Sequence, residues 1–362
     1  MMENVIINAN SLEYLKTLDS SSIDLIFADP PYYMRTGKIL HRVEGTEFSG
    51  CNDYWDKFDS LASYEKFSRE WLSECKRLLK HDGSIWVIGS MQCIYTIGAI
   101  MQQLNYWLIN DVIWQKSNPT PNFMGTRLNN SHETLIWAAR EKNSHFTFNY
   151  KTAKELNADL NHHQMGSIWK FPICSGNERL KDSDGRKLHS TQKPLQLLER
   201  IIAISSRLND LILDPFAGTM TTAAAAKKLG RKFIMIEADK IYCEAGQKRL
   251  DSIKFEDSPI ARADFDVKPP RVSMQEMISA GYFFTGEKFY FKDGQEIAEL
   301  NQDGKLLYNN QILDMHSCAA IAKNSKAKRV NGFDIWHVIR KNNLVSISEI
   351  RENYRAAKNL YL

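Results

Sequence analysis

Short apolar runs alternate with stretches whose apolar residues recur at helical spacing over the first two-thirds of the chain. Val5-Ile6-Ile7 reads as a strand, and Asn10 or Ser11 in the polar turn after it is suited to cap a helix through Leu12, Leu15 and Leu18. Residues 23–28 read as a buried strand running into Asp29-Pro30-Pro31-Tyr32. Phe67, Trp71, Leu72, Cys75, Leu78 and Leu79 fall on one face of a helix over 64–79, which His81-Asp82-Gly83 is expected to end. Strand 84–89, helix 94–104, strand 108–114 and strand 133–139 follow. After a long irregular stretch the pattern resumes. Pro194 opens a helix over 195–204, and strand 211–213 ends in Asp214. A helix of alanines and lysines runs to Leu229, Gly230 stops it, and strand 233–236 delivers Glu237. The alternation predicts an α/β fold in which a parallel sheet carries helices on both faces.

Three stretches break the pattern. Residues 33–58 form a long polar loop in which Arg35, Lys38, His41 and Arg42 mix with Tyr33, Phe48, Tyr54 and Trp55. Cationic and aromatic side chains of this kind suit phosphate contact and base stacking. Residues 117–132 hold two prolines and a glycine, with Asn122, Arg127, Asn129 and Asn130 able to bond base edges. Residues 142–188 are rich in Asn, His and aromatics. His162 and His163 lie there, but no third ligand stands at a spacing that suits a metal, and no metal is expected.

After Lys254 the composition changes. Asp257-Ser258-Pro259 and Lys268-Pro269-Pro270 read as a linker, giving domains of 1–258 and 271–362 joined by 259–270. Beyond it a short helix at 274–280 and strands near 282–291 and 296–300, with Asp-Gly turns, suggest a small antiparallel sheet. Lys323, Lys326, Lys328 and Arg329 form a basic cluster.

Composition narrows the class only modestly. At 362 residues, 43% hydrophobic and 25% charged, the chain reads as an ordinary globular protein, and a net charge of +4 permits a nucleic-acid partner without requiring one. The six cysteines are scattered without paired spacing, as expected of reduced thiols in the cytoplasm. Met1-Met2-Glu3-Asn4 carries no positive charge and no long apolar region follows, so neither secretion nor a membrane span is expected.

Candidate chemistry concentrates at the strand ends. The exocyclic amine of a nucleobase is a poor nucleophile, because its lone pair is delocalised into the ring. A catalyst must therefore hold both N–H hydrogens with acceptors. Asp29 offers a carboxylate, Pro30 a backbone carbonyl aimed by a fixed φ, and Tyr32 an aromatic face for an extruded base. The second constellation is strand, Asp214-Pro215-Phe216-Ala217-Gly218-Thr219-Met220-Thr221-Thr222, helix, strand and Glu237. An acid roughly 20 residues after the turn is the layout that holds a nucleoside-bearing cofactor. Glu237 would accept from ribose hydroxyls and Asp214 would face an ammonium group. The N–H groups and threonine hydroxyls of the turn would meet a carboxylate. A turn that spells Asp-Pro-Phe suits a cationic amino-acid tail better than a pyrophosphate, and so favours S-adenosylmethionine over NAD.

Asp29-Pro30-Pro31-Tyr32 ahead of Thr191-Gln192-Lys193-Pro194 and Asp214-Pro215-Phe216-x-Gly218 resembles the β-class order of amino-methyltransferase motifs. Gly83 to Ser90, Lys116-Ser117-Asn118-Pro119, and Gly125-Thr126-Arg127 through His132-Glu133-Thr134 are similar to the DNA adenine-N6 methyltransferases of the HinfI and CcrM type. The resemblance covers nearly the whole chain. It implies a Rossmann-like methyltransferase sheet with permuted motif order, catalytic half first, plus a small C-terminal α+β domain that contacts DNA. It implies methylation of adenine N6 within GANTC in duplex DNA, as a homodimer, with a cognate restriction endonuclease as a possible partner. Carried onto this chain, Asp29, Pro30, Pro31 and Tyr32 are catalytic. Asn10, Asp29, Thr191, Lys193, Asp214, Phe216, Gly218, Thr221, Thr222 and Glu237 bind cofactor. Arg35, Arg42, Trp55, Asn122, Arg127, Asn129, Lys326, Lys328 and Arg329 bind DNA. Two positions depart from the pattern: Met220 stands where the family has a second glycine, and Asn10 where it has an aspartate. The residue chemistry leaves open N4-cytosine methylation, RNA methylation, and a silent DNA-binding protein whose cofactor turn Met220 disables.

Overall fold

The structure is a computed structural model that describes residues 2–33, 40–41, 47–48, 56–122, 125–157 and 162–358. It divides into two compact units, 1–267 and 268–362.

The larger unit contains β1 (Val5–Asn8), α1 (Ser11–Leu15), β2 (Ile23–Ala28), the two-residue strands β3 (Leu40–His41) and β4 (Glu47–Phe48), α2 (Leu61–Leu78), β5 (Leu79–Gly89) and α3 (Ile94–Gln103). It continues with β6 (Trp107–Lys116), β7 (His132–Ala139), α4 (Tyr150–Glu155), β8 (Ile168–Phe171), α5 (Leu195–Ser205), β9 (Leu211–Asp214), α6 (Thr221–Lys228), β10 (Lys232–Glu237), α7 (Lys240–Asp251) and α8 (Pro259–Arg262). Among the described residues, eight strands form one sheet in the order β1-β10-β9-β2-β5-β7-β6-β8. The two-residue alternation of the strands splits the core between the two faces. Leu25 and Phe27 of β2 join a cluster with Trp86, Trp137 and the helices α5 and α6, whereas Ile26 and Ala28 join one with Trp71, Leu72 and Ile97 from α2 and α3.

The sheet is mixed, which corrects the expectation of a parallel one. β7 runs antiparallel to both neighbours, pairing Gly89 with Thr134 and Gln115 with His132. An apolar run buried on both faces carries no mark of its direction, and the stacked pair Trp86 and Trp137, 5.0 Å apart, is satisfied in this register. His81-Asp82-Gly83 does not end a helix either. α2 stops at Leu78 and the chain passes directly into β5, where a register shift against β2 between Ile23 and Leu25 accommodates the polar residues. Asn10, one of the two expected caps, is the N-cap of α1 and accepts from the Glu13 N–H at 3.3 Å.

Part of the expected linker is folded into the larger unit. Ser258 caps α8 with Pro259 in its first turn, Ala261 is fully buried, and the Asp266 carboxylate accepts from the N–H groups of Lys151 and Thr152, both at 2.8 Å. A proline in the first turn starts a helix as readily as it interrupts a chain, so the Ser-Pro signal had two meanings.

The smaller unit is antiparallel, as the Asp-Gly turns suggested. It contains α9 (Met274–Ser279), β11 (Lys288–Tyr290), β12 (Glu296–Leu300), β13 (Leu306–Tyr308), β14 (Gln311–Leu313), α10 (Met315–Ala322), α11 (Gly332–Ile335), β15 (His337–Arg340), β16 (Asn343–Ser346) and α12 (Ile347–Ala357). The strand order is β14-β13-β12-β11-β15-β16, around a core of Phe289, Leu306, Trp336, Val338 and Ile347. Among the described residues of the chain, no helix is long and apolar enough to cross a membrane.

Candidate active site

β2, β9 and β10 are parallel neighbours at the centre of the sheet, so Asp29, Asp214 and Glu237 leave it at the same edge. There they line a cavity of about 340 Å³. Asn10, Pro30, Pro31, Tyr32, Thr191, Lys193, Phe216, Gly218, Thr221 and Thr222 line it as well, so every catalytic and cofactor position read from the sequence reaches one space. Arg35, Arg42 and Trp55 lie outside the described residues.

The opening half of the site is a buried charge network. The Lys193 ammonium donates to Asp29 Oδ2 at 2.6 Å and is 6% exposed. Removing either partner would strand a buried charge, at about 3–5 kcal/mol. Tyr32, 7% exposed, places its hydroxyl 2.9 Å from Asp29 Oδ1, with the Lys193 ammonium 5.1 Å from its ring centroid. The Tyr64 hydroxyl donates to the Pro31 carbonyl at 2.9 Å and so fixes the double proline. Burial raises the Asp29 carboxyl above the usual range, with Lys193 opposing. Burial and the surrounding anions push the Tyr32 phenol well up, so it keeps its proton. Burial works against the Lys193 charge, but Asp29 and Glu133 outweigh it and hold the ammonium.

In the second half, the Asp214 carboxylate accepts from the Phe216 N–H at 2.9 Å and the Thr222 hydroxyl at 2.5 Å. Burial pushes its carboxyl up to about 7. Glu237 accepts from the N–H groups of Gly218 and Asp239, both at 2.8 Å, and burial raises its carboxyl too. Two of the turn's N–H groups therefore serve the site's own carboxylates rather than standing ready for an incoming one. The turn needs Gly218 at φ +50°, and a Cβ there would also meet His189 Nε2 at 3.3 Å.

Met220 caps α6 in the left-handed region at φ 61°, where glycine is at ease. Its side chain is fully buried, does not line the cavity, and fills the notch left by Gly246 of α7. The departure from the family pattern is thus absorbed on the far side of the turn.

Sequence reasoning missed several groups. Glu133 was noted only as part of a similar stretch, yet its Oε2 lies 2.9 Å from the Tyr32 hydroxyl and its Oε1 2.7 Å from Lys116. Burial opposes its charge, but Lys193 and Lys116 together hold its carboxyl below the usual range. The reversal of β7 puts Glu133, at the start of that strand, on the edge where the parallel strands end. His189 and Tyr242, 4.8 Å apart, add an aromatic lip to the cavity. The loop with Asn122, Arg127 and Asn129 braces itself: the Asn122 N–H donates to Asn129 Oδ1 at 2.6 Å and the Arg127 guanidinium to Asn130 Oδ1 at 3.0 Å. In the smaller unit Lys326 and Lys328 are exposed, and Arg329 pairs with Asp314 at 3.0 Å.

Comparison with known proteins agrees with this geometry. A family model described as DNA methylase matches residues 23–248. The chain is 46% identical over 351 residues to the type II methyltransferase M.HinfI of Haemophilus influenzae, covering 97% of this chain and 96% of that protein. It is 37% identical over 249 residues to the type II methyltransferase M2.DpnII of Streptococcus pneumoniae, covering 68% and 90%. Among solved structures, the M1.HpyAVI–SAM complex is similar with a TM-score of 0.50 and 26% identity, covering 68% of this chain and 98% of that one. The cytosine-N4-specific PvuII DNA methyltransferase matches with a TM-score of 0.54 at 18% identity, over 72% and 93%, a likeness of fold alone. With the family match spanning most of the larger unit and the identity to M.HinfI running nearly end to end, the chain belongs to the DNA methylase family.

Proposed function

We propose that this protein is an S-adenosylmethionine-dependent DNA methyltransferase that takes an adenine out of the duplex and methylates its N6 within GANTC. The observation that carries the reading is the convergence of Asp29-Pro30-Pro31-Tyr32 and the Asp214-to-Glu237 unit on one cavity. The residues fit the cofactor: Asp214 is an anion for an ammonium group, Glu237 an acceptor for ribose hydroxyls, and His189 with Tyr242 an aromatic wall. When bound, S-adenosylmethionine supplies an electrophilic methyl group.

The chain's own residues supply position and acceptors. Extruding a base costs a few kcal/mol, and the face of Tyr32 offers a surface against which it is held. Asp29 and the Pro30 carbonyl take the two amine hydrogens and aim the lone pair, so alignment provides much of the rate. Methyl transfer leaves an extra proton on the nitrogen, which passes to Asp29 or directly to water. Lys193 stabilises the ionised form of Asp29 that accepts the amine. Exposed Arg127 and Asn129, together with Asn122, read the duplex, and Lys326, Lys328 and Arg329 meet its phosphates. The family resemblance supports GANTC, a homodimer, a partner endonuclease at the same site and residence in the bacterial cytoplasm. The test is methyl transfer to a GANTC duplex followed by digestion to nucleosides and mass measurement. N6-methyladenine is expected; N4-methylcytosine or an unmodified duplex would overturn the reading.

A further inference from the structure

One contact in the cavity wall is unused by the reaction described above. The Tyr32 hydroxyl lies 2.9 Å from Asp29 Oδ1 and 2.9 Å from Glu133 Oε2. A phenol carries one hydrogen, so it can donate to only one of the two carboxylates at a time. Glu133 is the better fixed acceptor. Its other oxygen is paired with Lys116 at 2.7 Å, Lys193 stands 3.9 Å from Oε2, and its side chain is 12% exposed. Asp29 has one oxygen committed to Lys193, which leaves Oδ1 as the oxygen contested between the phenol and an incoming amine.

We infer that Glu133 is a positioning residue: it takes the Tyr32 hydrogen, so that Asp29 Oδ1 is open to the N–H of the target amine while the tyrosine ring stays in place. The inference deepens the proposed function and rests on its assignment of Asp29 as the amine's acceptor. Without Glu133 the phenol donates to Asp29 instead, and the amine must displace a hydrogen bond to a charged group. A bond of that kind corresponds to roughly 10–100-fold in rate. Burial works against the charge of Glu133, but Lys193 and Lys116 hold its carboxyl below the usual range, which keeps it ionised and able to accept.

A double-mutant cycle on the full chain tests this, with kcat measured on a GANTC duplex and cofactor affinity by calorimetry. Glu133→Gln is expected to lower kcat about 10–100-fold, with S-adenosylmethionine and duplex affinities within about threefold of wild type. In a Tyr32→Phe background the same change is expected to alter kcat by less than about threefold, because no hydroxyl remains to be held. Equal losses in both backgrounds would overturn the inference and leave Glu133 a counter-ion of Lys116. If thermal unfolding shows that the glutamine variant does not fold, Glu133→Asp serves. It keeps the charge beside Lys116 but shortens the reach, and it too must lose rate only when the Tyr32 hydroxyl is present; undiminished kcat would count against the inference. The wild-type reaction separates the two levels. Failure to methylate adenine defeats the proposed function, whereas adenine methylation with an additive cycle defeats only the role of Glu133.

Discussion

The Met220 and Gly246 pair gives a prediction whose sign reverses with context. A Cβ added to Gly246 would overlap Met220 Cγ and lie 2.9 Å from Met220 Cβ. Overpacking of this kind costs about 1–3 kcal/mol. Because the overlap involves the base of the side chain, the upper end applies. Gly246 lies within α7, where alanine is favoured over glycine by ~1 kcal/mol. Gly246→Ala alone should therefore destabilise by ~2 kcal/mol, a fall of about 4–8 °C for a unit of this size. Met220→Gly relieves the left-handed backbone but empties a fully buried site, for a net loss of about 1–4 kcal/mol. In that background the notch is vacant, so Gly246→Ala should stabilise by ~1 kcal/mol and raise the midpoint by about 2–4 °C. Calorimetric unfolding of the four proteins measures both effects, and a Gly246→Ala shift of equal sign and size in the two backgrounds would refute the packing argument. The same variants address the silent-protein alternative. Since Met220 points away from the cavity, Met220→Gly should leave S-adenosylmethionine affinity within about threefold, and a tenfold gain would show that the side chain obstructs the turn after all.

Two further expectations follow from the site and the domain division. The Asp214 carboxyl, at about 7, must be ionised to attract an ammonium group, so cofactor affinity should weaken as pH falls through that value. Calorimetry should find roughly tenfold weaker binding at pH 6 than at pH 8, and Asp214→Asn should bind weakly with the slope removed; an unchanged slope would exclude Asp214 as its source. Removing residues 268–362 should sharply weaken duplex binding while cofactor binding survives, because the larger unit has its own core and the whole cavity. Unchanged duplex affinity in a gel-shift titration would defeat the role given to the smaller unit.

What was legible in the sequence was the part written in local pattern. Apolar runs such as Leu211-Ile212-Leu213 ending in an acid marked both the strands and the edge at which they stop, and that brought Asp29, Asp214 and Glu237 to the cavity. Asn10, Thr191 and Lys193 were added by the family resemblance. Direction and partnership were not legible. Nothing within the apolar run of β7 says that it is reversed, and a parallel reading sends Glu133 to the opposite edge from Tyr32, 101 residues earlier in the chain. An acid at the head of a buried strand was the available signal, since it has the same character as Asp29, Asp214 and Glu237 at the tails of theirs. The compensation at Met220 was hidden for a similar reason. Gly246 sits inside a helix, where a glycine looks like a mere weakness until the fold places a methionine over it.

The most direct measurement of the central claim is sequencing of base modification in DNA from a host that expresses this protein alone, beside one that expresses Asp29→Ala. N6-methyladenine at GANTC with the wild type, its absence with the variant, and retained duplex binding by purified Asp29→Ala are the predicted results. Methylation by the variant at near wild-type levels, or a modified base other than adenine, would contradict the account.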